Sequence, residues 1–262
     1  MKILFHLLFI LFLSSSLLAQ DCYTEATQEN LKSDYCQLWI GKTFYGTIGD
    51  DNQRIDIRFI EITKDTNSHF KYHVQGKSRV KNNVCDFQGV MTIDQIMLLD
   101  EARSGCDEPT LSAGIIYGTY ILNEDPNQSH VGRFTGDFKS MFDKSSEGFK
   151  LNNAWFGQDG FNSFIGIWES YVSEEPRFCA WGFQLPPSVH DDLFKHYDKA
   201  FYLFNSKYMD RGWKTYVLSN LISFIKVPKN FDTNELRMVD DFIEYPIEEI
   251  EQATKEEKNK WW

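Results

Sequence analysis

The chain has 262 residues, and about 240 remain once a leader is removed, enough for one large β domain or one domain with an appendage. Aromatic residues make up 16% of it, a load that sheet-rich cores and binding grooves commonly hold. The formal charge is −11, and −12 once Lys2 leaves with the leader; that excludes the basic footprint of a nucleic-acid surface but names no partner.

Met1 and Lys2 form a short positive start, residues 3–13 are apolar except for His6, and Ser14 to Ser16 precede Leu17, Leu18, Ala19 and Gln20. This pattern predicts a secretory signal peptide over residues 1–20, too short for a spanning helix, cut near Ala19-Gln20. Cys22 follows Asp21 rather than a small residue, which argues against a lipid anchor. The residue usage reads as bacterial, and the expected destination is secreted or periplasmic.

Residues 21–41 read as a lead-in, with helical spacing over 25–31. Residues 42–185 read as an antiparallel β domain. Strand patterns recur over 42–48, 54–62, 70–76, 84–91, 95–101, 114–123, 131–138, 147–155, 161–172 and 177–185. Along 54–62 the alternation is plain: Ile55, Ile57 and Phe59 on one side, Asp56 and Arg58 on the other. Along 132–138, Phe134 and Phe138 share a face and Arg133, Thr135 and Asp137 take the other. Glycines inside these runs suit a strongly bent sheet, and Gly166 is expected to lie beneath the Trp168 indole. About eight to ten short strands without helices between them predict an antiparallel β-barrel or sandwich.

Composition shifts at Pro186-Pro187, and residues 186–262 read as a mixed, partly helical appendage. Val189, Leu193, Tyr197, Ala200, Phe201 and Phe204 suggest a helix over 189–207, opened by Ser188 and Asp191. Residues 213–227 read as a strand. The tail from Asp232 to Trp262 holds ten acidic and four basic residues. Pro246, followed by Glu248, Glu249 and Glu251, suits a helix start. Trp261 and Trp262 either dock or dangle.

Five cysteines lie beyond the leader. In an oxidising compartment, local pairing is expected: Cys22 with Cys36, and Cys85 with Cys106, the second clipping a hairpin. Cys179, among Phe178, Ala180 and Trp181, reads as a buried thiol.

No motif for catalysis, cofactor or metal is present. The five histidines of the mature chain make no close ligand spacing, and there is no C-x-x-C, no G-x-S-x-G elbow and no phosphate loop. Paired carboxylates beside aromatics are the one enzymatic hint. Glu101, Glu124 and Glu169 would then serve a polysaccharide hydrolase. An outer-membrane barrel is disfavoured, because residues 249–260 are charged throughout and do not alternate.

Phe44-Tyr45-Gly46-Thr47-Ile48, Val74-Gln75-Gly76, Phe87-Gln88-Gly89, Leu98-Leu99-Asp100-Glu101, residues 118–124, residues 132–136 and Gly166-Ile167-Trp168 share one cadence of strand, glycine, strand and glutamate. In this the chain resembles secreted bacterial β-rich proteins and is lipocalin-like over residues 42–185. Trp39-Ile40-Gly41 reverses the order of the lipocalin G-x-W. The resemblance implies an architecture and assigns no functional residue. The expected function is a non-enzymatic barrel, not integral to the membrane, that binds an apolar or amphiphilic ligand through Tyr72, Tyr120, Phe134, Trp155, Trp168 and Trp181. The alternatives are an envelope interaction or inhibitor protein and the hydrolase.

Overall fold

The computed structural model describes residues 23–26, 31–99, 112–152, 162–173, 175–187, 192–198, 201–232 and 241–262. The expected leader, Cys22, Glu101, Cys106, Trp155 and His190 lie outside them.

Eight strands form a closed antiparallel barrel: β2 (Thr43–Ile48), β3 (Gln53–Lys64), β4 (Lys71–Val80), β5 (Asn83–Leu99), β6 (Ser112–Glu124), β7 (Gly132–Ser145), β9 (Asn162–Ser170) and β10 (Pro176–Phe183). Each pairs with the next, and β10 returns to β2 with Cys179 opposite Ile48 and Phe183 opposite Phe44. Closure leaves these strands no open edge along the shared register. β1 (Tyr23–Glu25) pairs with the end of β5, and β8 (Gly148–Leu151) forms a hairpin with β7.

The two strands expected over 84–91 and 95–101 are one, β5. A register shift between Ile93 and Gln95 bends it, which is why its alternation breaks there in the sequence. The expected disulfides do not form a clip either, since Cys36 and Cys85 are free thiols. Cys85 sits instead at a strand end, where Asn83 Nδ2 donates to its sulfur at 3.1 Å and the Ser129 carbonyl lies 3.6 Å away.

The glycines do permit close approach, but with other partners than expected. Gly166 faces Gly136 across β7 and β9, and a Cβ on it would lie 2.0 Å from the Thr135 carbonyl oxygen. The Trp168 indole lies over Gly132, where a Cβ would come within 2.6 Å of Trp168 Cε2.

Inward residues fill the barrel. Phe44, Phe59, Tyr72, Phe164 and Trp181 are completely buried. Phe164 stacks on Trp181 at 5.8 Å and on Phe138 at 5.4 Å. One end is plugged by the lead-in: a short 3-10 turn over Cys36–Leu38 sets Tyr35, Leu38 and Trp39 into the core. Trp39 Nε1 donates to the Ser140 hydroxyl at 2.8 Å, and its ring packs edge-on against Tyr72 and Phe138.

The appendage rests on the outside of the barrel. It holds a small mixed sheet, β11 (Phe194–Asp198), β12 (Phe201–Phe204) and β13 (Ile225–Lys226), with β12 and β13 parallel. Its described residues also form a 3-10 helix over Ser206–Arg211 and the α-helices α1 (Lys214–Asn220) and α2 (Ile247–Lys258). The helix expected over 189–207 is therefore a correction. β11 and β12 pair there instead, with Tyr202, Leu203 and Phe204 buried in succession between layers, a run that fits a strand covered on both faces. The strand expected over 213–227 is instead α1 in its first half, whose Tyr216, Val217 and Leu218 are all buried, and only Ile225–Lys226 is strand. Short apolar runs do not separate these two states by period.

Candidate functional site

Four turns crowd the end opposite the plug: those joining β2 to β3, β4 to β5, β6 to β7 and β9 to β10. They surround a cavity of 720 Å³. Asn52, Lys81 and His130 adopt left-handed backbone in these turns, with φ of 53°, 55° and 57°. Tight turns of that kind bring the strand ends close while leaving side chains to line the rim.

Ile48, Val80, Phe134, Trp168 and Pro176 supply the apolar wall. Glu124, at the end of β6, lines the same cavity and is 4% exposed. Its Oε2 accepts from Trp168 Nε1 at 2.9 Å and from the Gly132 backbone N–H at 2.8 Å, and its Oε1 accepts from the Ser78 hydroxyl. Tyr171 donates its hydroxyl to the Glu124 backbone carbonyl at 3.1 Å, fixing the strand end. Burial raises the pKa of Glu124 above the usual carboxylate range, while the three donors pull the other way. All three donors are neutral.

Rim charges are of both signs. Asp50, Asp51, Glu175, Lys81 and Arg177 line the opening, with Asp51 held by Arg211 at 3.2 Å. The Arg177 guanidinium lies 5.7 Å from the centre of the Trp168 ring. Gln53 belongs to the inward parity of Ile55 and Ile57 and also lines the cavity. Its Nε2 donates to the Arg211 carbonyl at 2.7 Å, and its buried Oε1 accepts no hydrogen bond.

The six aromatics singled out in the sequence divide between two places. Phe134 and Trp168 line the cavity, whereas Tyr72, Tyr120 and Trp181 are packed inside the barrel; Trp155 lies outside the described residues. Glu124 and Glu169 do not converge. Trp168 points inward, so its neighbour Glu169 points outward and pairs with Arg133 at 3.0 Å. Nothing in the sequence singles out Ser78, Gln53 or Arg177 as cavity residues, and His130 stands there only as one of five histidines without ligand spacing. The findable clue was topological, since in a meander barrel every second turn shares an end.

The described thiols are protonated at neutral pH. Burial pushes Cys36 up to about 12 and Cys85 up to about 11, and raises Cys179 further, so none is an activated nucleophile. Among the described residues no group of three or more His, Cys, Asp or Glu is placed to hold a metal ion. No helix among them is long and apolar enough to cross a membrane.

Outside the barrel, a second cavity of 400 Å³ separates β3 and β4 from the appendage. Arg54 reaches across beside it, with Nε 2.8 Å from Asp56 Oδ1 and Nη1 2.7 Å from Glu257 Oε1. Comparison with protein-family models, with curated proteins and with solved structures finds no match, so the barrel and its cavity are the basis for any functional reading.

Proposed function

We propose that the protein is an exported, non-enzymatic binding barrel that takes a small amphiphilic ligand into the cavity at its open end. One observation carries this reading. The barrel interior is packed with buried rings, yet its open end keeps 720 Å³ lined by Phe134 and Trp168 on one side and by polar groups on the other. Cavities of several hundred Å³ with an apolar wall and a few placed polar groups suit small ligands. The apolar part of the ligand rests on Phe134, Trp168, Ile48 and Val80, and its polar part meets Glu124, Gln53 and the rim.

Native mass spectrometry of the protein purified from its own host tests the binding. A bound small molecule that is lost in Trp168→Ala supports it. Protein that carries no ligand and leaves Trp168 fluorescence unchanged with every apolar probe overturns it. Export rests on residues 1–20, and amino-terminal sequencing tests it. A mature start at Gln20 or Asp21 is expected in the periplasm or medium. An intact Met1 on protein confined to the cytoplasm overturns it.

A further inference from the structure

We infer that the ligand taken at the open end carries a protonated amine, which the Glu124 carboxylate holds while the alkyl or aryl body lies on Trp168 and Phe134. The inference rests on the ligand-binding reading above and narrows its chemistry.

Glu124 is the most enclosed acid of the cavity, and the groups that hold it are all neutral: a hydroxyl, an indole N–H and a backbone N–H. A buried carboxylate satisfied only by neutral donors still lacks a counter-charge. Its Oε2 is filled by Trp168 and Gly132, but its Oε1 meets only the Ser78 hydroxyl and has acceptor capacity left for one more donor. Gln53 adds a second buried acceptor, its Oε1, that no group of the protein satisfies. Both wants are for donors, and an ammonium supplies three donors and the missing charge at once.

The cations of the site do not fill this role. Lys81 and Arg177 are exposed at the rim, and Arg177 lies against the Trp168 ring. The arrangement is therefore an acceptor floor beneath a mixed rim. A carboxylate-headed amphiphile would bring a second negative charge onto a buried one. An alcohol could donate one hydrogen bond but would leave the charge uncompensated. Recognition of a cation beside an indole is also favoured by the ring's negative face.

Octylamine, 1-octanol and octanoate share a tail and differ only at the head. Each is titrated into the full-length mature protein by calorimetry, with Trp168 fluorescence as a second readout. Octylamine is expected to bind roughly tenfold or more tightly than 1-octanol, the order of one charge-assisted hydrogen bond, with octanoate weakest. In Glu124→Gln, whose amide can still accept from Gly132 and donate to Ser78, the preference for the amine over 1-octanol disappears. Equal binding of octylamine and 1-octanol, or tighter binding of octanoate, overturns the amine inference and leaves the cavity reading standing. Failure of all three, together with no ligand in native mass spectrometry, overturns both. If Glu124→Gln does not fold, the three-ligand comparison on the wild-type protein decides alone.

Discussion

At Arg54 the guanidinium is 5% exposed and engaged on both edges. Asp56, two residues on, takes Nε at 2.8 Å, while Glu257 takes Nη1 and Nη2 at 2.7 and 2.8 Å. Arg79 Nε also donates to Asp56, at 2.9 Å. Burial alone would lower the pKa of Arg54, but Asp56 and Glu257 more than reverse it. Removing one member of a buried ion network leaves the others uncompensated, at a cost of about 3–5 kcal/mol. Arg54→Ala should lose stability of that order in urea titration, and a loss within error of zero would show that water already screens the network. Gly132→Ala acts at the other end of the scale of distance. Its Cβ would meet the Glu169 carbonyl at 2.1 Å and the Trp168 ring at 2.6 Å. Overpacking of this kind costs about 1–3 kcal/mol. The expected outcome is a lowered melting temperature together with altered Trp168 fluorescence. Both residues bear on what the sequence can tell. Arg54, Asp56 and Arg58 alternate with Ile55 and Ile57 and so read as a wet face. Nothing local reveals that residue 257, about two hundred positions away, covers them. The close approach of the Trp168 indole to a glycine was legible, but the expected glycine was Gly166, and cross-strand register puts Gly132 there instead.

Among the elements, α2 depends on its attachments. Of its twelve residues only Ala253 is buried, and an isolated helix of this length is marginal in water. Glu248 and Glu249 in its first turn and Lys255 and Lys258 in its last suit the helix dipole but add only tenths of a kcal/mol each. It packs along α1, where Lys214 pairs with Glu249 and Thr215 donates to Glu257, and it is fastened further by Glu257 on Arg54 and by the terminal pair. The Arg58 guanidinium lies 3.7 Å from the centre of the Trp262 ring, and that of Arg79 lies 4.7 Å from Trp261. Replacing both tryptophans with alanine should cost about 1–2 kcal/mol. It should also reduce the helical circular dichroism of the tail, a readout that merely trimming a loose end would not move. Helix α2 was legible from Pro246 and its glutamates, and the barrel strands from their alternation and glycines. β11 and β12 were not. Leu193, Tyr197, Ala200 and Phe204 fit a helical stripe in the sequence, while Phe194, Tyr202 and Phe204 fit a buried strand pair, and the choice is made by packing. Phe194 and Phe204 meet at 5.1 Å, and both meet Trp213 of the appendage core.

Across the whole molecule, the buried Glu124 and the half-buried Glu257 set opposite responses to acid. Glu257 is pulled up by burial, but its bonds to Arg54 and Thr215 and the charge of Arg54 win, and its pKa lies below the usual value. A depressed carboxylate contributes stability that is complete above its unfolded pKa, about 4.3, and is lost as the pH falls through the folded one. Glu124 is raised, chiefly by burial. Its neutral form suits the fold, so its contribution is complete below the unfolded pKa and is lost as the pH climbs through the folded one. The groups around Glu124 are Ser78, Trp168, Cys85, Cys179 and Tyr171, and those around Glu257 are Arg54, Arg79, Thr215, Tyr45, Asp56 and Tyr216. Acid therefore relieves the mouth of the barrel while unfastening the appendage from its wall. The appendage has its own apolar cluster around Phe204, Trp213 and Tyr216, so release need not unfold it. Near neutral pH the chain should unfold in urea as one unit, with tryptophan fluorescence and far-ultraviolet circular dichroism changing together. Well below the ordinary carboxylate range the two curves should separate, the fluorescence of Trp213 and the terminal pair changing first. Glu257→Gln should bring that separation up to neutral pH, because it removes the charge without the acid. Coincident curves in the variant at neutral pH would mean that the apolar contacts of Tyr45 with Tyr216, 4.8 Å apart, join the two parts without help from the buried ions.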